Sequence, residues 1–335
     1  MRARLISTTV TVGLMFALCH VAPAKDWVTY EGKGGAGQGR HIVFLSGDEE
    51  YRSEEGLPML AKLLATRHGF KCTVLFAINP KDGTIDPNTQ TNIPGMAALD
   101  YADLCVMLLR FRELPDAEMK HFVDYLERGK PIIALRTSTH AFAYSRNKQS
   151  PYARFSWDGK DWPGGFGQQV LGETWVNHHG DHGKQSTRGV INDEFKGHPV
   201  LRNVTDIWGP SDVYGVVHLP VQAQVLVRGQ VLVGMKPGDS PLDGPKNNPM
   251  MPLVWTLNHA GAGGKTNQIV TTTMGAATDL ESAGLRRLLV NACYWTLGLS
   301  EQIPTEANVD CVGEYKPSPF GFGKFKTGVK PADLE

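Results

Sequence analysis

Three apolar runs, each breaking off into a polar cluster, constrain the fold of this chain more than any other feature. His41-Ile42-Val43-Phe44-Leu45 leads into Ser46-Gly47-Asp48-Glu49-Glu50, Leu104-Cys105-Val106-Met107-Leu108-Leu109 into Arg110-Phe111-Arg112, and Pro131-Ile132-Ile133-Ala134-Leu135 into Arg136-Thr137-Ser138-Thr139-His140. Short continuous apolar runs bounded by turn residues read as buried strands. In an open parallel sheet, ligands bind outside the carboxyl ends of the strands. The three polar clusters therefore point to one site.

The intervening segments carry helical signals. Ser53 stands before Leu57, Leu60 and Leu64, and the pattern stops near Gly69; Asp116 precedes Met119, Phe122, Val123 and Leu126, with Gly129 as the stop. Cys72 to Ile78 reads as a further strand, and residues 79–102 as a long crossover. This alternation predicts an α/β fold, a flavodoxin-like, mostly parallel open sheet with helices on both faces. In a flavodoxin-like order the crevice lies between the first and third strands in sequence, flanked by Asp48, Glu49, Arg110 and Arg112, with Arg136 and His140 on the neighbouring strand.

The second half is less regular. Val225-Leu226-Val227 and Val231-Leu232-Val233 around Arg228-Gly229-Gln230 predict an added β-hairpin, and Asp279 is placed to cap a last helix bearing Leu285, Leu288, Leu289, Ala292 and Trp295. Residues 150–184 form an aromatic, glycine-interrupted insertion ending in Asn177-His178-His179-Gly180-Asp181-His182-Gly183. Long insertions of this kind are more often functional than ornamental.

With 34 Lys and Arg against 34 Asp and Glu, the net charge is zero, which implies neither a nucleic-acid footprint nor a polybasic membrane patch. Residues 1–24 read as an export signal: Arg2 and Arg4, the apolar run Leu5 to Leu18, and Ala22-Pro23-Ala24 before Lys25. Cleavage after Ala24 predicts a periplasmic or secreted protein with no integral membrane association. Leu18 argues against lipidation at Cys19. Cys72, Cys105 and Cys293 lie on apolar patterns and read as buried thiols, with a Cys293 to Cys311 bridge left open. The run Gly34-Gly35-Ala36-Gly37-Gln38-Gly39 precedes the first long strand instead of following it, so it reads as part of a linker over 25–40, and no nucleotide cofactor is expected. The main domain is expected over 41–300, with a tail over 301–335 that Phe320, Phe322 and Phe325 pin to the body.

Carboxylates facing arginines at strand ends form either a structural ion-pair network or a polar pocket, and the shared strand-end placement favours the pocket. Asp48 and Glu49 are candidate acid/base groups, and Arg110, Arg112 and Arg136 candidates to hold substrate oxygens. His140, His178 and His182 are candidates to move protons. A divalent metal is the one cofactor the histidine group suggests, with His178, Asp181 and His182 as its ligands. Trp175, Asp212 and Tyr214 are placed on the substrate side. Ser138 lacks the flanking glycines of a nucleophile elbow, which disfavours covalent acyl chemistry.

The order of His41 to Gly47, the passage from Phe122 to Leu135, His198-Pro199-Val200 followed by Asp212-Val213-Tyr214, and Thr272-Thr273-Met274-Gly275 before Arg286-Arg287-Leu288-Leu289-Val290-Asn291-Ala292 resembles the trehalose-utilisation (ThuA-like) family over residues 40–300. The resemblance implies a class I glutamine-amidotransferase-like fold. The amidotransferase cysteine would fall at about Arg136, so glutaminase chemistry does not transfer. ThuA-like proteins commonly carry histidine at that turn and a Gly-His pair after the late strand, where this chain has Arg136 and Gly275-Ala276. The family is associated with disaccharide use through keto-sugar intermediates. The resemblance implies an exported enzyme acting on a carbohydrate or keto-sugar by isomerisation, elimination or hydrolysis; the alternative is a non-enzymatic carbohydrate-binding or scaffold protein on a degenerate fold.

Overall fold

The computed structural model describes residues 25–261 and 263–335. The expected export signal and Cys19 lie outside the described residues. The chain runs β1 (Trp27–Tyr30), β2 (His41–Gly47), α1 (Ser53–His68), β3 (Lys71–Phe76), β4 (Leu104–Leu109), α2 (Asp116–Glu127), β5 (Ile132–Leu135), β6 (Thr187–Ile191), β7 (Trp208–Gly209), β8 (Gln224–Val231), β9 (Met251–Ala260), β10 (Thr266–Thr272) and α3 (Ala283–Thr296). All ten strands join one sheet in the order β1-β3-β2-β4-β5-β10-β9-β8-β6-β7.

Within it, β3-β2-β4-β5-β10 pair in parallel, and their order is the flavodoxin-like 2-1-3-4-5. Every residue of β4 is buried, as a strand covered on both faces requires. Leu57, Leu60 and Leu64 of α1 and Leu285, Leu288 and Leu289 of α3 fill one face; Met119, Phe122 and Leu126 of α2 fill the other. The α1 terminus is set by Gly69, whose φ of 79° lets its N–H reach Ala65 O at 3.2 Å.

Four expectations are corrected, the fourth being the cap of the last helix. The sheet is not mostly parallel: four neighbouring pairs are parallel and five antiparallel. Between β5 and α3 the described residues form no α-helix, and the strands laid down there, β6 to β10, pair antiparallel with one another. The hairpin around Arg228-Gly229-Gln230 is one continuous strand, β8, paired with β6 on one side and β9 on the other. Gly229 is there for close approach, since a Cβ on it would lie 3.1 Å from Val213 Cγ1. Residues 25–40 are not a plain linker. β1 pairs antiparallel with β3, and the glycine run packs on the end of α1, with Gly37 N–H donating to His68 O at 2.9 Å. A Cβ on Gly35 would come within 2.7 Å of the same carbonyl.

The last helix is capped by Ser282, whose hydroxyl accepts from Leu285 N–H, and not by Asp279. Cys72, Cys105, Cys293 and Cys311 are all free thiols. Among the described residues, no helix is long and apolar enough to cross a membrane.

Candidate functional site

Strand register decides which side chains meet. Because β2, β4 and β5 are adjacent and parallel, their carboxyl ends deliver residues 48–52, 110–112 and 136–140 to one edge of the sheet. Each end carries one non-glycine residue in the left-handed region: Arg52 at φ 60°, Phe111 at 52° and Arg136 at 40°. Such conformations cost free energy and persist where surrounding contacts over-determine them.

Those contacts are dense. Glu49 accepts from Arg110 and, at 2.6 Å, from Arg112. Arg112 is fully buried and spends its other donors on the carbonyls of Arg110, Pro87 and Thr89. Asp48 is equally enclosed: Oδ1 accepts from Glu50 and Tyr51 N–H at 2.7 and 2.6 Å, and Oδ2 from the Thr137 hydroxyl. Asp48 and Arg112 thus hold the turns in place from below.

Arg136 stands at the centre. Buried completely, it lies between the rings of Tyr51 and Tyr214, 4.1 Å from each centroid, and donates to the carbonyls of Asp212 and Thr273. Its Nη2 donates to Tyr51 Oη at 3.0 Å and to Asp212 Oδ1 at 2.9 Å. Asp212 is brought over the strand ends by the chain that follows β7. Asp279 fixes that approach, accepting from Ser211 N–H and Oγ–H and from Gly275 and Ala276 N–H.

Two imidazoles share Asp212. His178 Nδ1 lies 2.7 Å from Oδ2 and His182 Nδ1 2.9 Å from Oδ1. Burial works against the Asp212 charge, but Arg136 and the two histidine hydrogen bonds outweigh it and hold the carboxyl well below the usual range. The hydrogen bond to Asp212 in turn raises the His182 pKa above its ordinary value, against a smaller opposing effect of burial. Both imidazoles are open to solvent, with side chains 36% and 34% exposed, whereas Asp212 is enclosed. His182 Nε2 also lies 3.4 Å from Glu50 Oε1, and Glu50 in turn faces Arg110. Burial, with the Asp48 charge adding to it, pushes the Glu50 carboxyl up.

The loop that carries the histidines divides its labour. His179 and Gly180 N–H both donate to Val213 O, His179 Nε2 meets Lys246 O at 2.8 Å, and Asp181 pairs with Lys246 Nζ at 2.7 Å. The expected ligand Asp181 therefore faces away from the cluster. The carboxylate that joins His178 and His182 is Asp212, which is remote in sequence. His140 is wedged between Phe111 and Trp175, 5.0 Å from each ring. Its burial, with Arg110, Arg136 and His178 adding, drives its pKa well down, so it is neutral near pH 7. Trp175 packs edge-on against His178 and Tyr214. Of the other insertion aromatics, Trp157 lies 5.7 Å from the Phe111 ring, while Phe155 and Phe166 pack edge-on against Phe142, and Trp162 against Phe155, in the core.

The structure adds residues that the sequence reading did not single out. Tyr51 and Glu50 belong to the network above. The tail closes over them: Phe320 lies 5.5 Å from the Tyr51 ring and 5.4 Å from His182, Gly321 N–H donates to Glu50 O, and Arg52 donates to Gly321 O. The signal for the first two was their place in the Asp48 to Arg52 run directly after β2. A cavity of about 480 Å³ opens elsewhere, between α1 and the tail, lined by residues including Glu54, Glu55, Lys62, Tyr315 and Lys326. None of the strand-end arginines or clustered histidines lines it, so the chemistry is placed on the network at the sheet edge and not on this volume.

No family model matches the chain, and no curated protein matches it significantly. Solved structures do. The chain is similar to ThuA-like proteins. One, from Bacteroides uniformis, is 15% identical with a TM-score of 0.46, the match covering 80% of this chain and 95% of that one. Another, from Parabacteroides merdae, is 17% identical with a TM-score of 0.46, over 77% and 90%.

Proposed function

We propose that this chain is an exported enzyme that acts on a carbohydrate or keto-sugar by acid/base chemistry. One observation carries the reading: a single buried carboxylate, Asp212, orients two solvent-open imidazoles, with Glu50 beside one of them. A carboxylate that fixes ring orientation and supports the charged form is what a proton-moving histidine needs. His182 and Glu50 are the acid/base pair, His178 completes it, and Arg110 stabilises negative charge developing on a substrate oxygen. Trp175 beside the histidines offers an apolar ring to a sugar face. The signal-like residues 1–24 support export, and the mature protein should begin at Lys25 by mass spectrometry.

A second reading is favoured by Phe320, which already lies against His182: a carbohydrate-binding or scaffold protein without turnover. One experiment separates the two. The purified protein is offered disaccharides and their keto derivatives, with and without divalent cations. The enzyme reading expects turnover that falls at least about 100-fold in His182→Ala and Glu50→Gln, each still folded by circular dichroism. Binding without turnover supports the scaffold, and turnover indifferent to both substitutions removes these residues from the mechanism.

A further inference from the structure

We propose that His178, His182 and Asp212 form a binding site for one divalent first-row transition cation, with Zn²⁺ preferred over Mg²⁺ or Ca²⁺. The inference rests on the reading above for the location of the site and not for its reaction. One donor atom from each of the three residues lies within 4.8 Å of the other two. Two imidazole nitrogens and one carboxylate oxygen are the donor set of zinc and its neighbours, whereas magnesium and calcium take oxygen ligands.

The set is held before any cation arrives. Arg136 and the Asp279-anchored Ser211 fix Asp212 from the protein side. The histidine loop is pinned on both flanks of the pair, by His179 and Gly180 N–H on Val213 O and by Asp181 on Lys246. Gly180 lies close against Asp212: a Cβ there would be 3.2 Å from the Asp212 Cβ. Ligating carboxylates are commonly hydrogen-bonded from behind, which is the place Arg136 occupies. The half-open imidazoles leave a path for the cation and room for water to complete its coordination.

The contacts of 2.7 and 2.9 Å are spanned now by protons. A cation about 2 Å from each donor would set those atoms about 3.3 Å apart in tetrahedral geometry. The rings must open by roughly half an ångström, which side chains on a surface loop can do. The cation takes the place of the Nδ1 protons, each ligating ring being neutral with its proton on Nε2, and Glu50, 3.4 Å from Nε2 of His182, is placed to accept that hydrogen bond.

The test uses the full chain, stripped with EDTA and titrated with Zn²⁺ by calorimetry and with Co²⁺ by visible absorption. One equivalent should bind. His178→Ala and His182→Ala should each weaken binding at least about tenfold, while His179→Ala, which keeps the backbone N–H on Val213 O, should leave it within about twofold. Asp212→Asn strips the partner from a buried arginine, so the histidine variants carry the test, each confirmed as folded by circular dichroism. Absence of saturable binding, or binding that survives in the His178→Ala/His182→Ala double variant, overturns the proposal. Sugar turnover in protein that shows no saturable cation binding sinks the metal site alone, and cation uptake without turnover sinks the sugar reading alone.

Discussion

The two halves of the sheet reach the same edge with different materials. The parallel half, β3-β2-β4-β5-β10, supplies residues that are enclosed and heavily hydrogen-bonded: Asp48, Arg112 and Arg136. The antiparallel half, β9-β8-β6-β7, supplies from its connections the imidazoles that meet solvent, His178 and His182. The ion pair of Arg136 with Asp212 is the joint between them. A sheet covered on both faces can bury charge rigidly only by pairing it, whereas loops off half-covered strands can keep a titrating group wet. On this division, the first half fixes geometry and lends Glu50, and the second supplies the imidazoles.

The largest effect should come from breaking the joint. Asp212→Asn leaves Arg136 buried without its counter-charge and should cost roughly 3–5 kcal/mol by urea denaturation. As a contrast, Arg228→Ala on the antiparallel β8, half-buried and with a single long 3.4 Å bond to Met250 O, should stay within about 0.5 kcal/mol. Equal losses at the two sites would dissolve the distinction between the halves.

A smaller effect distinguishes the wet side by pH. His182 in the fold titrates above its ordinary 6.5 because of Asp212, so its stabilising contribution is fully present below pH 6.5 and is lost as pH rises through the raised value. The stability difference between the parent protein and His182→Ala should therefore be greater near pH 5.5 than near pH 8.5. A difference that grows toward alkaline pH would show that the imidazole is not held by the carboxylate.

The halves also differed in how far the sequence disclosed them. The runs ending at Gly47, Leu109 and Leu135 are legible because a strand buried on both faces leaves an unbroken apolar stretch, and the strand-end rule then gathers Glu49, Arg110 and Arg136 at one edge. β6 and β7 leave no such trace, since Thr187 to Ile191 is mostly half-buried and Trp208–Gly209 is two residues long. Arg228-Gly229-Gln230 has turn composition, and only the neighbouring Val213 explains its glycine inside a strand. Asp181 is the carboxylate nearest to His182 in sequence, but Lys246 claims it; Asp212 takes its place through contacts that span 30 and 34 residues. Local composition found the histidines, and only the tertiary fold could choose their carboxylate.

The strap formed by Phe320 and Gly321 sets an order in time. Arg52 and Gly321 are 269 residues apart, yet their bond closes the wall beside His182. A chain made from its N-terminus and folding by units can complete the ten-stranded sheet once β10 has emerged, well before residue 320 exists. During that interval Tyr51 and His182 lack their aromatic cover. The site can thus mature later than the sheet that carries it, and its finished shape marks a chain whose strap has docked.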